Sequence, residues 1–493
     1  MRGPRLPALG RHGVLTQGGV GEPSIKILNM KRTIFLLLLL LPGCMLLAQS
    51  EGGICEELLS RLRASNADSP ANRALRNALS GTSIQQLTQP ARNVEAEDKT
   101  FSHKVESKGI TDQKSSGRCW LFTGLNVLRA QMIGEQGLGE FQFSQNFCFF
   151  YDQLEKSNLF LEAMIETAGR PQEDQTVDWL FQNPLSDGGT FCGVMDIVSK
   201  YGLVPAEVMP ESYSANNTSQ MTSYLKLKLR EFGLKLRKAA AEGETTEQLR
   251  ARKEEMLETV YHMLSICLGE PPTEFEWTLT DASGKRVSRE TYTPKSFYET
   301  YVRTDLKNSF VMLMNDPSRP FYQTYTIDYD RHTYDGAQWT YLNLPIEEIK
   351  PLCISSIKDS TMMYFSCDVG KFLNSKTGVL SLRNYDAEAL FSTDFPMTKA
   401  ERISSHASAS SHAMTLMAVD LDEEGKPCKW MVENSWGSAS GFNGFLIMTD
   451  EWFEEYMFRV VVDKKFVPDS LLKLLEQEPV KLPAWDPLFA GEE

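Results

Sequence analysis

The sequence predicts an α+β protein in which helical and strand-forming stretches are segregated along the chain. Two observations carry that expectation. Apolar residues recur at helical spacing after Cys119 (Leu121, Leu125, Leu128, Met132) and, on a highly charged background, at Leu225, Leu229, Leu249, Met256, Val260 and Leu264. Strand-like runs then appear at Phe321–Tyr329, Thr361–Asp368, His412–Asp420, Lys429–Asn434 and Gly444–Met448. At 493 residues, 42% apolar and 24% charged, the chain has the composition of a water-soluble globular protein of two or three modules. Its formal net charge is −14. The first 49 residues hold six Lys/Arg and one acid, so the remainder carries a net of −19. Such a surface repels phosphate backbones, which argues against nucleic acid as a general partner, although a local basic groove stays open. The nine cysteines show no CxxC pair and no ligand-like spacing to histidine, so no metal is expected. Scattered through a long chain, they do not read as a disulfide framework.

Taken in order, residues 1–29 have no hydrophobic periodicity. Met30-Lys-Arg then opens a basic start, followed by the apolar run Thr33–Leu41. That is the pattern of an export signal, with Met30 as the expected start. The run is short for a membrane span, so removal is expected rather than retention. Two cleavage readings stand. Leu41-Pro-Gly-Cys44 resembles a bacterial lipoprotein box, which would lipidate Cys44. Cleavage after Ala48, leaving Gln49 at the new terminus, is preferred because the residues after Cys44 stay apolar through Ala48. Either places the protein outside the cytoplasm, with membrane attachment only if Cys44 is lipidated; the alternative is a cytoplasmic protein. Residues 50–98 are polar and helix-prone. Residues 99–205 read as one lobe, holding an extended lead-in, the helix after Cys119 and a second helix capped by Ser144. Within it, Asp187-Gly-Gly-Thr-Phe191 is a tight turn whose Gly188 and Gly189 would let a ligand backbone approach. Residues 206–355 read as a mainly helical insertion, 356–466 as a β-rich lobe and 467–493 as a C-terminal arm that begins with a helix at Pro468. Trp485 offers that arm a large apolar anchor.

Gly117 breaks the chain ahead of the first helix, and Ser115 or Ser116 offers it a cap, so Cys119 falls at or beside a helix N-terminus. Partial positive charge there favours the thiolate, which is the nucleophilic form. Gln113, upstream, has an amide able to donate to an oxyanion. A nucleophilic cysteine needs a base. Of the six histidines, His12 precedes the export signal, His103 has no orienting group beside it, His262 lies on the charged helix, and His332 sits in a loop. His406 and His412 flank a Ser/Ala-rich turn. His412 alone begins a strand-like run, and Asn434 follows it in Glu433-Asn-Ser-Trp-Gly437. An asparagine carbonyl can hold an imidazole in one tautomer, and Trp436 can shield that bond from water.

Gln113-Lys-Ser-Ser-Gly-Arg-Cys-Trp120, Ser411-His-Ala-Met-Thr415 and Val432-Glu-Asn-Ser-Trp-Gly437 together resemble the papain-like cysteine peptidases. With Met448-Thr-Asp-Glu-Trp-Phe453 and Leu482-Pro-Ala-Trp-Asp-Pro487, the chain is most similar to the bleomycin hydrolase and aminopeptidase C branch. Ser116 and Arg118 replace the first cysteine and the small residue of the usual Cys-Gly-Ser/Ala-Cys-Trp pattern. The export signal departs from a branch that is mostly cytosolic. The resemblance implies a papain-like two-lobe fold with a helical insertion and a C-terminal arm. It implies a homohexamer, and peptide substrates with a free amino terminus. It implies that Cys119 attacks the carbonyl, that Gln113 and the Cys119 amide hold the oxyanion, and that His412, oriented by Asn434, protonates the leaving group without a cofactor. It further implies that the arm enters the cleft, where the terminal carboxylate at Glu493 meets the substrate amine. Gly188, Gly189, Trp436 and Glu493 are thus the expected substrate contacts. An endopeptidase is the alternative if the tail is mobile or trimmed. A binding or structural shell on the same fold is a third reading.

Overall fold

Caps written into the sequence set where most helices begin. In the computed structural model, residues 52–66, 68–91, 98–336 and 338–489 are described. Met30, the apolar run after it, Cys44, Gln49 and Glu493 lie outside the described residues. The chain divides into two units, residues 1–81 and 82–493. In the first, the Cys55 and Ser69 side chains cap α1 (Glu56–Ser65) and α2 (Pro70–Leu79), neither of which buries a residue.

In the second unit, α3 (Ile84–Thr88) and the short strand β1 (His103–Lys104) precede α4 (Cys119–Gln136). α5 (Gln145–Glu166), α6 (Gln175–Gln182), α7 (Phe191–Tyr201) and α8 (Tyr213–Asn216) follow. α4 buries most of its length, including Leu121, Leu125, Leu128 and Met132. Gly124 lets it approach α7, since a Cβ there would lie 2.5 Å from Val194 Cγ2. Ser144 caps α5 as expected, its hydroxyl accepting from the Phe147 amide at 3.0 Å. The charged stretch forms α9 (Ser219–Ala241) and α10 (Thr246–Leu268), the latter opened by a capping box between Thr245 and Gln248. Leu225, Leu229 and Leu236 of α9, with Leu249, Val260 and Leu264 of α10, turn one apolar stripe inward against α5. Each such burial stabilises the fold by about 1.5–3 kcal/mol.

A hairpin of β2 (Phe275–Thr280) and β3 (Arg286–Tyr292) leads to α11 (Pro294–Tyr301). The segment 206–355, expected to be mainly helical, then also supplies β4 (Phe310–Met314), β5 (Gln323–Ile327) and β6 (Tyr341–Asn343) to the principal sheet. β5 lies within the expected strand-like run Phe321–Tyr329, while β4 and β6, buried on both faces, carry no polar–apolar alternation to mark their extent. α12 (Ile346–Lys358) packs on one side of that sheet, against β1. The chain continues through β7 (Met363–Cys367), β8 (Leu373–Asn374), β9 (Val379–Leu380), α13 (Ala387–Phe391) and α14 (Lys399–Ser404). β10 (His412–Leu421), β11 (Pro427–Glu433), β12 (Phe445–Thr449), α15 (Asp450–Tyr456) and β13 (Met457–Asp463) come next. The helix expected from Pro468 is one short turn, α16 (Asp469–Leu472), extended by a 3-10 turn, before β14 (Val480–Leu482). The sheet order is β14-β5-β6-β4-β13-β7-β10-β11-β12-β9-β8, with β1 against β10. One apolar core lies mainly among the helices, and the other mainly around β7, β10, β11 and β13. α4 crosses β10 where these two cores meet.

Candidate active site

The loop ahead of α4 is held from several sides, so the first residue of that helix, Cys119, has a fixed place. Arg118 occupies the cap position, and no side chain caps the helix. The expected cap by Ser115 or Ser116 does not form. The Ser116 hydroxyl is already engaged, donating to the Gln113 carbonyl at 2.6 Å and accepting from Arg118 Nε at 3.1 Å. Arg118 is wholly buried, and its guanidinium makes a two-pronged pair with Glu211 at 3.1 and 2.7 Å. This explains a bulky cation where the papain pattern has a small residue. Asp187 ties down the other side: its carboxylate accepts from the Gly117 amide at 2.7 Å, and its carbonyl from Trp120 Nε1 at 2.9 Å. Gly189 is required by crowding behind the turn, because a Cβ would lie 2.4 Å from the His332 ring and 2.9 Å from Trp120.

His412 and Asn434 meet through strand register. β10 and β11 run antiparallel with Thr415 opposite Glu433. Carried to the strand ends, that register sets His412 across from Trp436, and the two rings stack at 4.8 Å. Asn434, just past β11, places Oδ1 at 2.8 Å from His412 Nε2. The same Oδ1 accepts from the Ser435 amide at 2.8 Å. An amide N–H only donates, so the oxygen of Asn434 must be the atom at this vertex. His412 Nε2 therefore carries the proton, and Nδ1 keeps a lone pair able to take one.

Backbone bonds join this corner to the cysteine loop. The Gln113 amide donates to the Ser435 carbonyl at 2.8 Å, and the Gly437 amide to the Thr111 carbonyl at 3.0 Å. Gln113 itself is clamped: Oε1 accepts from Ser435 Oγ at 2.7 Å, and Nε2 donates to the Ser116 carbonyl at 2.7 Å. The second Nε2 proton makes no hydrogen bond among the described residues. Ser435 and Asp187 were not singled out from the sequence, because hydroxyls and carboxylates at loop positions carry no pattern of their own.

The Peptidase C1-like family matches residues 53–489. The chain belongs to that family. It is a cysteine peptidase. It is 42% identical over 401 residues to bleomycin hydrolase of Homo sapiens, covering 79% of this chain and 88% of that one. To aminopeptidase C of Lactobacillus delbrueckii subsp. lactis it is 37% identical over 426 residues, covering 85% and 94%. The crystal structure of PepW from Lactobacillus rhamnosis HN001 superposes with a TM-score of 0.86 at 34% identity, covering 89% of this chain and 99% of that one. The fold is accordingly the α+β, papain-like one.

In this peptidase, burial governs the ionisation of the pair. It pushes the Cys119 thiol up, against the amides of Ala413, Trp120 and Cys119 that favour the thiolate. It pulls the His412 imidazole down to about 4, against the Asn434 contact that supports the charged ring. The helix start does act towards the thiolate, as the sequence suggested, and desolvation of the buried sulfur opposes it. Cys119 itself stays partly exposed.

Two cavities border the turn at residues 187–190. One, of about 160 Å³, is lined by Gly188, Gly189, Trp179, Tyr329, His332 and Phe489. His332 is no loop bystander: it is buried, its Nδ1 lies 2.5 Å from Asp152, and its ring packs 4.8 Å from that of Trp120. Lys156 completes the group, 3.0 Å from Asp152 and 2.5 Å from the Gly188 carbonyl. The arm reaches the same cavity. Its anchors are Leu488 and Phe489, both buried, rather than the half-buried Trp485, because Phe489 fits against Tyr341 and the Arg459 guanidinium. The Leu488 carbonyl accepts from the Ser410 amide at 3.3 Å, two residues ahead of His412. Glu493 lies outside the described residues. Among the described residues, no cluster of three or more His, Cys, Asp or Glu is placed to hold a metal.

Proposed function

We propose that this protein is a cysteine-type aminopeptidase acting on peptides with a free amino terminus. The observation that carries the reading is the 2.8 Å contact of His412 Nε2 with Asn434, together with a partly exposed Cys119 at the start of a buried helix, its thiol at the Ala413 amide next in chain to His412. Cys119 Sγ attacks the carbonyl carbon as its proton passes to His412 Nδ1. The free Gln113 Nε2 proton and the Cys119 amide hold the oxyanion. His412 returns the proton to the leaving amine, and water, activated by the same imidazole, hydrolyses the thioester. Selection of free amino termini is supported by the aminopeptidase C relatives and by the arm, which Leu488 fastens beside the strand of His412. We assign recognition of the substrate ammonium to the chain beyond Phe489, ending at Glu493.

The test is an assay of single amino-acid amides beside their N-blocked versions. Free-amine substrates are expected to be turned over and blocked ones not. Cys119→Ala should lower kcat by about 10⁴-fold or more while leaving circular dichroism unchanged. Full turnover by that variant rejects the nucleophile. We further propose that the enzyme works as a homohexamer outside the cytoplasm. The resemblance supports the first, and the Met30–Leu41 pattern the second. Sedimentation of the native protein, and sequencing of its N-terminus for a start near Cys44 or Gln49, check these two statements.

A further inference from the structure

The second cavity, of about 410 Å³, opens beside the cysteine loop and is unlike the first in its chemistry. Ser115, Ser116 and Gly117 form one wall and Asp187 another. The third wall is a single face of α9, where Thr218, Thr222, Lys226 and Arg230 recur every fourth residue. Helical side chains lean towards the N-terminus of their helix. Lys226 and Arg230 therefore lean towards Thr218, the end against which the cysteine loop is docked. There the Ser115 amide donates to the Asn216 carbonyl at 3.0 Å and the Thr218 amide to the Ser115 carbonyl at 3.3 Å.

The groups in this pocket that have no protein partner are mostly donors. Thr222 is 8% exposed, and its hydroxyl, fully buried, has no hydrogen-bond partner. Lys226 makes no ion pair among the described residues. Arg230 uses Nε and Nη2 on the carbonyls of Phe181 and Gln182, at 2.8 and 3.0 Å, and Nη1 remains. α9 begins without a side-chain cap, because the Thr218 hydroxyl is turned to Asp187, and its first-turn amides add partial positive charge. The one acid present, Asp187, is already held by the Gly117 amide and Thr218.

We propose that this pocket receives the side chain of the residue whose carbonyl is attacked, and that it selects an acidic side chain, glutamate above all. The inference rests on the reading of Cys119 as nucleophile, since Gly117 and Asp187 border the pocket and hold the loop that carries that cysteine. Lys226 is the main determinant of charge preference.

The experiment measures kcat/KM for the glutamyl, leucyl and lysyl amides of one fluorogenic amine. Wild-type enzyme is expected to favour glutamyl over lysyl substrate by about tenfold or more. Lys226→Glu should reverse the glutamyl-to-lysyl ratio by about a hundredfold, and Lys226→Met should bring it roughly to unity. Lys226→Met also guards against a charge reversal that only damages folding. Equal ratios in wild type and both variants, or a wild-type preference for lysyl substrate, overturn the proposal. Failure of the nucleophile reading has a different signature, namely undiminished turnover of all three substrates by Cys119→Ala.

Discussion

At Asn434 one backbone amide decides the chemistry of a side chain two bonds away. The Ser435 N–H fixes the Asn434 oxygen in place, the oxygen fixes a proton on His412 Nε2, and that leaves the lone pair on Nδ1. Burial keeps this imidazole neutral down to about pH 4. kcat/KM should therefore hold from neutral pH to near 4 and fall below it, as the ring takes a proton and can no longer accept one from Cys119. The Asn434 contact supports the protonated ring, so Asn434→Ala should move this acid limb to lower pH. It should also reduce kcat less than His412→Ala, which removes the proton carrier itself and should cost about 10²–10⁴-fold. A pH–rate profile of the two variants checks both statements. The same shift has a consequence for stability. The unfolded chain binds the His412 proton at its ordinary pKa, above that of the folded state, so stability should decline as pH falls from about 6.5 to about 4.

Between elements, the contact that matters most for the site is the buried pair of Arg129 and Glu433. It links α4, which carries Cys119, to the end of β11, one residue before Asn434, with Nη2 and Oε1 2.5 Å apart. Both side chains are almost fully buried, and Glu433 also accepts from Ser107. Burial pushes the Glu433 carboxyl up, and the Arg129 guanidinium opposes that shift. Removing one partner leaves the other charged or newly protonated in an apolar setting. Arg129→Met should cost about 3–5 kcal/mol in denaturant unfolding and lower activity as well. The double variant Arg129→Met, Glu433→Met should recover much of the stability, because two matched apolar side chains have no charge to desolvate. A double variant as unstable as the single one would show that shape, rather than charge, sets the cost.

For the whole molecule, the long sheet connects the arm to the site. β14 joins β5 at the sheet edge in parallel register, Asp486 pairs with Arg319, and Leu488 and Phe489 are then buried close to the start of β10. A deletion from 488 onward would remove these anchors and confuse stability with specificity. Deletion of 490–493 alone avoids that. It should lower turnover of free-amine substrates and raise that of N-blocked or internal bonds, with the melting temperature within a few degrees of wild type. The ratio of the two rates is the measurement. An unchanged ratio would remove the tail from substrate selection and favour the endopeptidase alternative.

The sequence by itself determined the elements whose cause is local. Ser144 caps a helix because its hydroxyl needs only the next turn, and the α9 and α10 stripes follow from period alone. The Cys119, His412 and Asn434 segments were legible because each combines a chemically specific residue with a recognisable neighbourhood. Strand register then brought His412 and Asn434 together. What the sequence left undecided depends on residues far apart in the chain. β4 and β6 lack alternation because both faces are covered, and only the sheet shows them as strands, whereas β5 falls within the strand-like run Phe321–Tyr329. The burial of Arg118, the Asp152–His332 pair and the hold of Asp187 on the cysteine loop each join distant segments. The balance between thiol and thiolate at Cys119 was likewise set by tertiary packing. A helix start can be read from sequence, whereas desolvation belongs to everything that packs around the sulfur.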